Sequence, residues 1–287
     1  MPLPVRVYFV SETFSTKALL DAASVEYVSE NLYDVELSEF YTVVGKPNGG
    51  YLQCVLANAA LAAASNEGAP HIHATAITTN YMNAPDLGPA QIRTDVRRVG
   101  RGASFVHAEL VQNGVMTTES LVTLGTLREN SLPRYHDATV PFVPPIEDCV
   151  EAVNPAGDVG IMTVADLRLD PDCAKWWFGE AVEKGELRGW LRLNDDSGAH
   201  WDAWSVLFAS DVLPPATFPL GSSGWVPTLQ LSSYVRAVPA SEWLRVRQWC
   251  VVIEDGLVDE QCELFDDQGH LVASSKQLAM VRFHESS

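Results

Sequence analysis

Residues 48–64 read Asn48-Gly49-Gly50-Tyr51-Leu52-Gln53-Cys54-Val55-Leu56-Ala57-Asn58-Ala59-Ala60-Leu61-Ala62-Ala63-Ala64. After the glycines the pattern predicts a helix that is apolar nearly all round. Leu52, Val55, Leu56, Ala59, Ala60, Ala63 and Ala64 crowd several faces rather than one stripe, so the helix is expected inside a core rather than on a surface. The wrapper comes next in the chain. Residues 74–84, 90–99, 103–112 and 116–127 read as four β-rich runs. They are separated by Pro85-Asp86-Leu87-Gly88-Pro89, Gly100-Arg101-Gly102 and Asn113-Gly114. One buried helix inside an antiparallel sheet is the predicted unit.

At 287 residues the chain has ample core for one large domain or two of moderate size. A formal charge of -18 argues against a general affinity for nucleic acid or for anionic membrane. No apolar run approaches the ~20 residues of a membrane span. Residues 1–10 lack the basic start and cleavage site of a signal peptide, so a cytoplasmic address is expected. Five cysteines, Cys54, Cys149, Cys173, Cys250 and Cys262, are scattered and form no CxxC pair. They read as reduced thiols rather than as a disulfide framework or a zinc site.

Residues 1–13 are short and Pro-punctuated, a short helix is expected over 15–20, and 31–37 alternate as a strand. The Gly-rich loop 45–50 lacks the GxxxxGK[ST] of a phosphate loop. Backbone N–H groups at a helix start nevertheless suit a carbonyl oxygen or an anion. The glycines serve equally well for a tight turn and close packing, and both readings stay open. Pro133, Pro141, Pro144, Pro145 and Pro155 punctuate a stretch, 131–158, that reads as a linker between an N-terminal domain, 1–130, and a C-terminal one, 159–287. Beyond it, 159–169 and 189–193 are strand-like, with 175–179 a strand or loop. A second helix is expected from Asp202, an N-cap residue type, through Asp211, stopped by Pro214-Pro215.

The segment after the second helix repeats the one after the first. Ala74-Thr75-Ala76-Ile77-Thr78-Thr79-Asn80-Tyr81 has the pattern of Pro227-Thr228-Leu229-Gln230-Leu231-Ser232-Ser233-Tyr234. Gln112-Asn113-Gly114 likewise matches Asp267-Gln268-Gly269. The simplest account is two copies of one helix-plus-sheet unit, about 153 residues apart. On that spacing Asp211, Thr228 and Gln277 fall opposite Asn58, Thr75 and approximately Val122. An acid, a hydroxyl and an amide can hold and polarise a water; the first-half set has no general base. The second half is therefore expected to supply the polar centre of any active site.

These features resemble the double-hotdog acyl-CoA thioesterases of the bacterial acyl-CoA thioesterase II type. The resemblance runs over both halves. It is carried by Asn48-Gly49-Gly50, by residues 97–105 with Val111-Gln112-Asn113-Gly114, by Ser210-Asp211, by Thr228, and by Ser274-Ser275-Lys276-Gln277 with Arg282. It implies an α+β tandem (double) hotdog, each half an antiparallel sheet wrapped around a central helix. It also implies hydrolysis of an acyl-CoA thioester by activated water, with no cofactor. Asp211 would be the base or water acceptor, Thr228 and Gln277 would fix and polarise the water, and backbone N–H groups at a helix start would steady the thioester oxygen, with Asn48, Gly49 and Gly50 as substrate-binding residues. The chain departs from the family pattern at Leu229-Gln230-Leu231 and at Leu278, which bears on the shape of the pocket.

Taken singly, Asp211 reads equally as a helix end, Thr228 as a strand residue and Gln277 as a satisfied core amide. Arg97, Arg98 and Arg101 are candidates for the phosphates of coenzyme A, or else a solvated turn. His71 and His73 lack a third ligand, so no metal is assigned. There is no GxSxG and no GxGxxG. The reading from a different class is a non-catalytic acyl-CoA-binding hotdog protein. Trp176, Trp177, Trp204 and Trp225 either wall a pocket or fill core. An exposed sheet edge and face leave room for a homodimer of chains.

Overall fold

The computed structural model describes residues 6–7, 17–129, 131–153, 159–180, 182–194 and 200–283. The strands, in chain order, are β1 (Arg6–Val7), β2 (Val25–Ser29), β3 (Leu32–Leu37), β4 (Thr42–Val43), β5 (Lys46–Pro47), β6 (His73–Tyr81), β7 (Gly88–Val99) and β8 (Ser104–Gln112). They continue with β9 (Val115–Gly125), β10 (Val150–Glu151), β11 (Ala165–Leu169), β12 (Glu186–Leu193), β13 (Thr228–Val235), β14 (Leu244–Glu254), β15 (Leu257–Phe265) and β16 (Leu271–Met280). The helices are α1 (Lys17–Ala22), α2 (Gly49–Asn66), α3 (Ile161–Val164), α4 (Pro171–Ala174) and α5 (Val206–Ala209).

The helix expected after Asn48-Gly49-Gly50 is α2, and it is buried along its length from Gly50 to Ala64. Asn48 caps it in extended conformation, its side chain accepting from the Tyr51 N–H. Gly68, at φ +81°, closes the other end, where the Ala69 N–H returns to the Ala64 carbonyl. The alanines let β6, β7, β8 and β9 pack closely on it, and α5 covers the remaining side. The four predicted runs after α2 are these four strands. Asn113 and Gly114, both at positive φ, turn β8 into β9 as the sequence required. Asp255-Gly256 does the same between β14 and β15, a hairpin not anticipated.

Fourteen strands form one sheet in the order β1-β2-β3-β7-β8-β9-β6-β13-β16-β15-β14-β12-β11-β10. The order mirrors itself about the pairing of β6 with β13. These are the two strands matched in the sequence repeat, and they run antiparallel with Leu231 opposite Thr79 and Ser232 opposite Thr78. One apolar cluster runs without a break from Leu19 through α2 to Trp204, Phe208 and Ala273. The Trp204 indole lies in it and donates to the Cys54 carbonyl at 3.1 Å.

Several expectations need correction. The second helix is a single turn, α5, because only residues 206–209 complete it. Asp202 still acts at its start, accepting from the Trp204 and Ser205 N–H groups. Residues 159–169 are not one strand: the helical turn α3 precedes β11. Residues 175–178 form a 3-10 turn that follows α4 and is closed by Gly179 at φ +82°. Within 131–158, Val150–Glu151 pair with Leu169 and Arg168 as the edge strand β10. The short helix is α1, and its expected start at Ser15 lies outside the described residues, as do most of residues 1–13 and Pro155. No helix among the described residues is long and apolar enough to cross a membrane.

Candidate active site

A cavity of about 870 Å3 opens beside the start of α2, and it is walled by both halves of the chain. Its lining is mainly apolar, with Leu52, Ile161, Leu167, Trp176, Trp177 and Trp225 among the contributors. Trp204, by contrast, is core. Into these walls project Asn48, Tyr81, Asp211, Thr228, Gln248 and Gln277.

Asp211 follows α5 and is held against the first turn of α2. Its Oδ2 accepts from the Gly50 N–H at 3.0 Å and from Asn48 Nδ2 at 3.1 Å, while Asn48 Nδ2 also donates to the Asp211 carbonyl at 2.8 Å. Both readings of the glycines therefore hold together. A Cβ on Gly50 would lie 2.8 Å from the Leu207 and Phe208 carbonyl oxygens, and one on Gly49 would lie 2.8 Å from Asp211 Oδ2. The absent side chains let the backbone of residues 207–211 close on the helix start, and the start binds an anion, but that anion is the protein's own carboxylate. Burial pushes Asp211 up to about 6, against the pull of the Gly50, Asn48 and Gly49 donors. Of the three residues expected to steady a thioester oxygen, Asn48 and Gly49 line the cavity, while the Asn48 N–H is taken by the Tyr41 carbonyl. Gly50 donates to Asp211, Tyr51 donates to Asn48, and Gly50 does not line the cavity.

Thr228 opens β13, where the register slips between Thr228 and Gln230. In a regular strand Thr228 would face away from Leu231, which lies opposite Gln277. The extra residue turns it to the Gln277 side. There the Thr228 hydroxyl donates to Gln277 Oε1 at 2.8 Å. Gln277 Nε2 in turn donates at 2.5 Å to Oε2 of Glu260, its cross-strand partner on β15. Glu260 is 1% exposed and also accepts from Gln248 Nε2 at 3.2 Å and, through Oε1, from the Ala216 N–H at 2.8 Å. Burial pushes it up to about 7 against the Gln277 and Ala216 donors, with the charge of Asp211 adding to the rise.

The structure thus sets Asp211, Thr228 and Gln277 on one cavity and links the latter two directly. It adds Tyr81, whose hydroxyl donates to the Gly49 carbonyl at 2.8 Å, and Glu260. The signal for Glu260 was in the sequence: Val258, Glu260, Cys262 and Leu264 alternate inward along β15, and one of the four is charged. Arg97, Arg98 and Arg101 are not brought to the cavity. They are exposed around the β7–β8 turn, with Arg97 paired to Asp95 at 3.0 Å. His71 Nδ1 bonds Ser104 Oγ, and His73 Nδ1 accepts from the Leu127 N–H. Among the described residues no group of three His, Cys, Asp or Glu could hold a metal ion.

Residues 38–126 match the N-terminal domain, and residues 146–281 the C-terminal domain, of acyl-CoA thioesterase. The chain belongs to the acyl-CoA thioesterase family. A solved structure from Thermobifida fusca, described as a candidate thioesterase II, is 34% identical with a TM-score of 0.84, over 92% of this chain and 97% of that one. An uncharacterised protein of Mycobacterium tuberculosis is 31% identical over 268 residues, 87% of this chain and 91% of its own length. A hotdog-fold protein of unknown function from Alicyclobacillus acidocaldarius superposes with a TM-score of 0.79 at 21% identity, covering 94% of this chain and all of its own. The fold of this acyl-CoA thioesterase family member is accordingly a hotdog fold.

Proposed function

We propose that the chain hydrolyses acyl-CoA thioesters by direct attack of water, and that its two halves are tandem hotdogs meeting at β6 and β13. The observation that carries the reaction is the Asp211 carboxylate. It is anchored at the start of a buried helix, raised to about 6, and set in the wall of an apolar cavity that also presents Thr228 and Gln277. A carboxylate with that value is ionised near neutral pH yet basic enough to take a proton in the transition state.

In the proposed step the acyl chain lies along the apolar wall. Oδ2 of Asp211 is the anchored oxygen, and Oδ1 receives a proton from the attacking water. The water oxygen bonds to the thioester carbon, the carbon–sulfur bond breaks, and the proton passes to the departing thiolate. The products are a free acid and coenzyme A. Thr228 Oγ1, its hydrogen committed to Gln277, offers lone pairs to the same water. One Gln277 amide hydrogen goes to Glu260, and the other is assigned to the carbonyl oxygen.

The test is release of free thiol from acyl-CoA esters of graded chain length, comparing the unmodified protein with Asp211→Ala. Turnover lost in the folded variant supports the mechanism and reports the chain preference. Ester that binds but is never cleaved by the unmodified protein would make this an acyl-CoA-binding protein instead.

A further inference from the structure

We infer that Glu260 is a positioning residue whose ionised carboxylate fixes the direction of the hydrogen-bond chain running through Gln277 to Thr228. This rests on the thioesterase reading above. Neither the family resemblance nor the cavity lining points to Glu260, which lies behind Gln277 and not in the cavity wall.

Donors and acceptors set that direction. A primary amide has one face that only donates and one that only accepts. An ionised Glu260 can only accept, so Gln277 must turn Nε2 toward it and Oε1 toward Thr228. Thr228 has a single hydrogen and must spend it on Oε1. Its hydroxyl oxygen is then an acceptor for whatever stands in the cavity, which is what a water being deprotonated by Asp211 requires. A proton on Glu260 reverses every link. The acid O–H donates to Gln277 Oε1, the amide turns over, Nε2 donates to Thr228 Oγ1, and the hydroxyl hydrogen swings outward.

The surroundings make that proton accessible. From the loop after α5, the Ala216 and Thr217 N–H groups favour the carboxylate, as do Gln248 on β14 and Gln277 on β16; burial and Asp211 oppose it. The thiols of Cys250 on β14 and Cys262 on β15 are themselves pushed up, in part by the Glu260 charge. Asp259 and Lys276, the neighbours along the two strands, pair with each other at 3.1 Å. Since β15 and β16 alternate their side chains, that pair lies on the other face of the sheet.

If both Asp211 and Glu260 must be ionised, log kcat of the unmodified enzyme falls toward acid pH with a slope approaching two. In Glu260→Gln the slope becomes one, kcat drops about tenfold or more with KM nearly unchanged, and the acid limb moves to lower pH because only Asp211, the lower-titrating of the two carboxyls, must still be ionised. A slope of one in the unmodified enzyme, or an unchanged profile in the variant, overturns the inference while leaving the thioesterase reading in place. A second measurement needs neither variant nor turnover. The side-chain amide resonances of Gln277, followed in the unmodified protein as the Glu260 carboxyl signal titrates, should move with it. Amide signals that stay still across that titration overturn the inference even in a protein that cleaves no ester.

Discussion

On the proposed mechanism, Asp211 sets an activity requirement against a stability requirement. Its carboxyl is raised from 3.8 to about 6, so between those two pH values the folded chain holds a proton there that the unfolded chain has released. Stability from this group is full below the unfolded value and is lost as pH rises through about 6, on the order of 3 kcal/mol by pH 8. Asp211→Asn should therefore melt higher than the unmodified protein at pH 8, with the advantage vanishing toward pH 4, while turnover falls by roughly 10²–10⁴-fold. Melting curves at the two pH values with parallel thiol assays check this, and a variant that melts lower at pH 8 contradicts it. Thr228→Val removes the hydroxyl and leaves Gln277 Oε1 without its donor, so kcat should fall at least tenfold, with Thr228→Ser recovering most of it. Steady-state kinetics on the two variants separate loss of the hydroxyl from loss of packing.

The start of α2 does three things at once: it caps a helix, binds the Asp211 carboxylate and lets another backbone approach. Asn48→Ala removes the cap, at about 1 kcal/mol, and also a donor that lowers the Asp211 value. The acid limb of the pH–rate profile should therefore move to higher pH, which a cap with no part in the site would not produce. Gly50→Ala places a methyl 2.8 Å from two backbone carbonyl oxygens, neither of which can rotate aside. A loss of about 1–3 kcal/mol in denaturant unfolding is expected, with activity lost alongside as Asp211 is pushed from the helix. The bulge at the start of β13 works similarly, since one inserted residue decides which way Thr228 faces. The strand is legible in the sequence because residues 227–234 repeat the pattern of 74–81. The sequence could not show the slip, which depends on how β13 registers against β16.

At the scale of the molecule, the two halves share more than a sheet seam. Gln53, in the second turn of α2, donates to Thr79 Oγ1 on β6 and to the Leu231 carbonyl on β13, and accepts from Ser233 Oγ at 2.7 Å. Phe208 from the second half packs edge-on to Tyr41 of the first. A chain ended after residue 130 would expose the β6 edge, would take the Leu231 and Ser233 partners from Gln53, and would leave the α2 start without Asp211. We expect such a half to aggregate or remain expanded, as size-exclusion chromatography and near-ultraviolet circular dichroism would report; a compact, soluble half would show that the seam is dispensable.

The sequence by itself determined what short-range chemistry encodes. That covers the all-round apolar helix with its Asn cap, the strands with their period of two, the Asn113-Gly114 turn, and the repeat that singled out Asp211, Thr228 and Gln277 as the polar additions of the second half. Tertiary structure decided the rest. The Gly50 N–H meets a carboxylate from the far half of the chain, Glu260 stands behind Gln277 only because β15 and β16 register there, and Arg97, Arg98 and Arg101 lie away from the cavity. The reason is physical. A periodic pattern says which face of an element is buried, but the values reached by Asp211 and Glu260 depend on which distant groups share that burial.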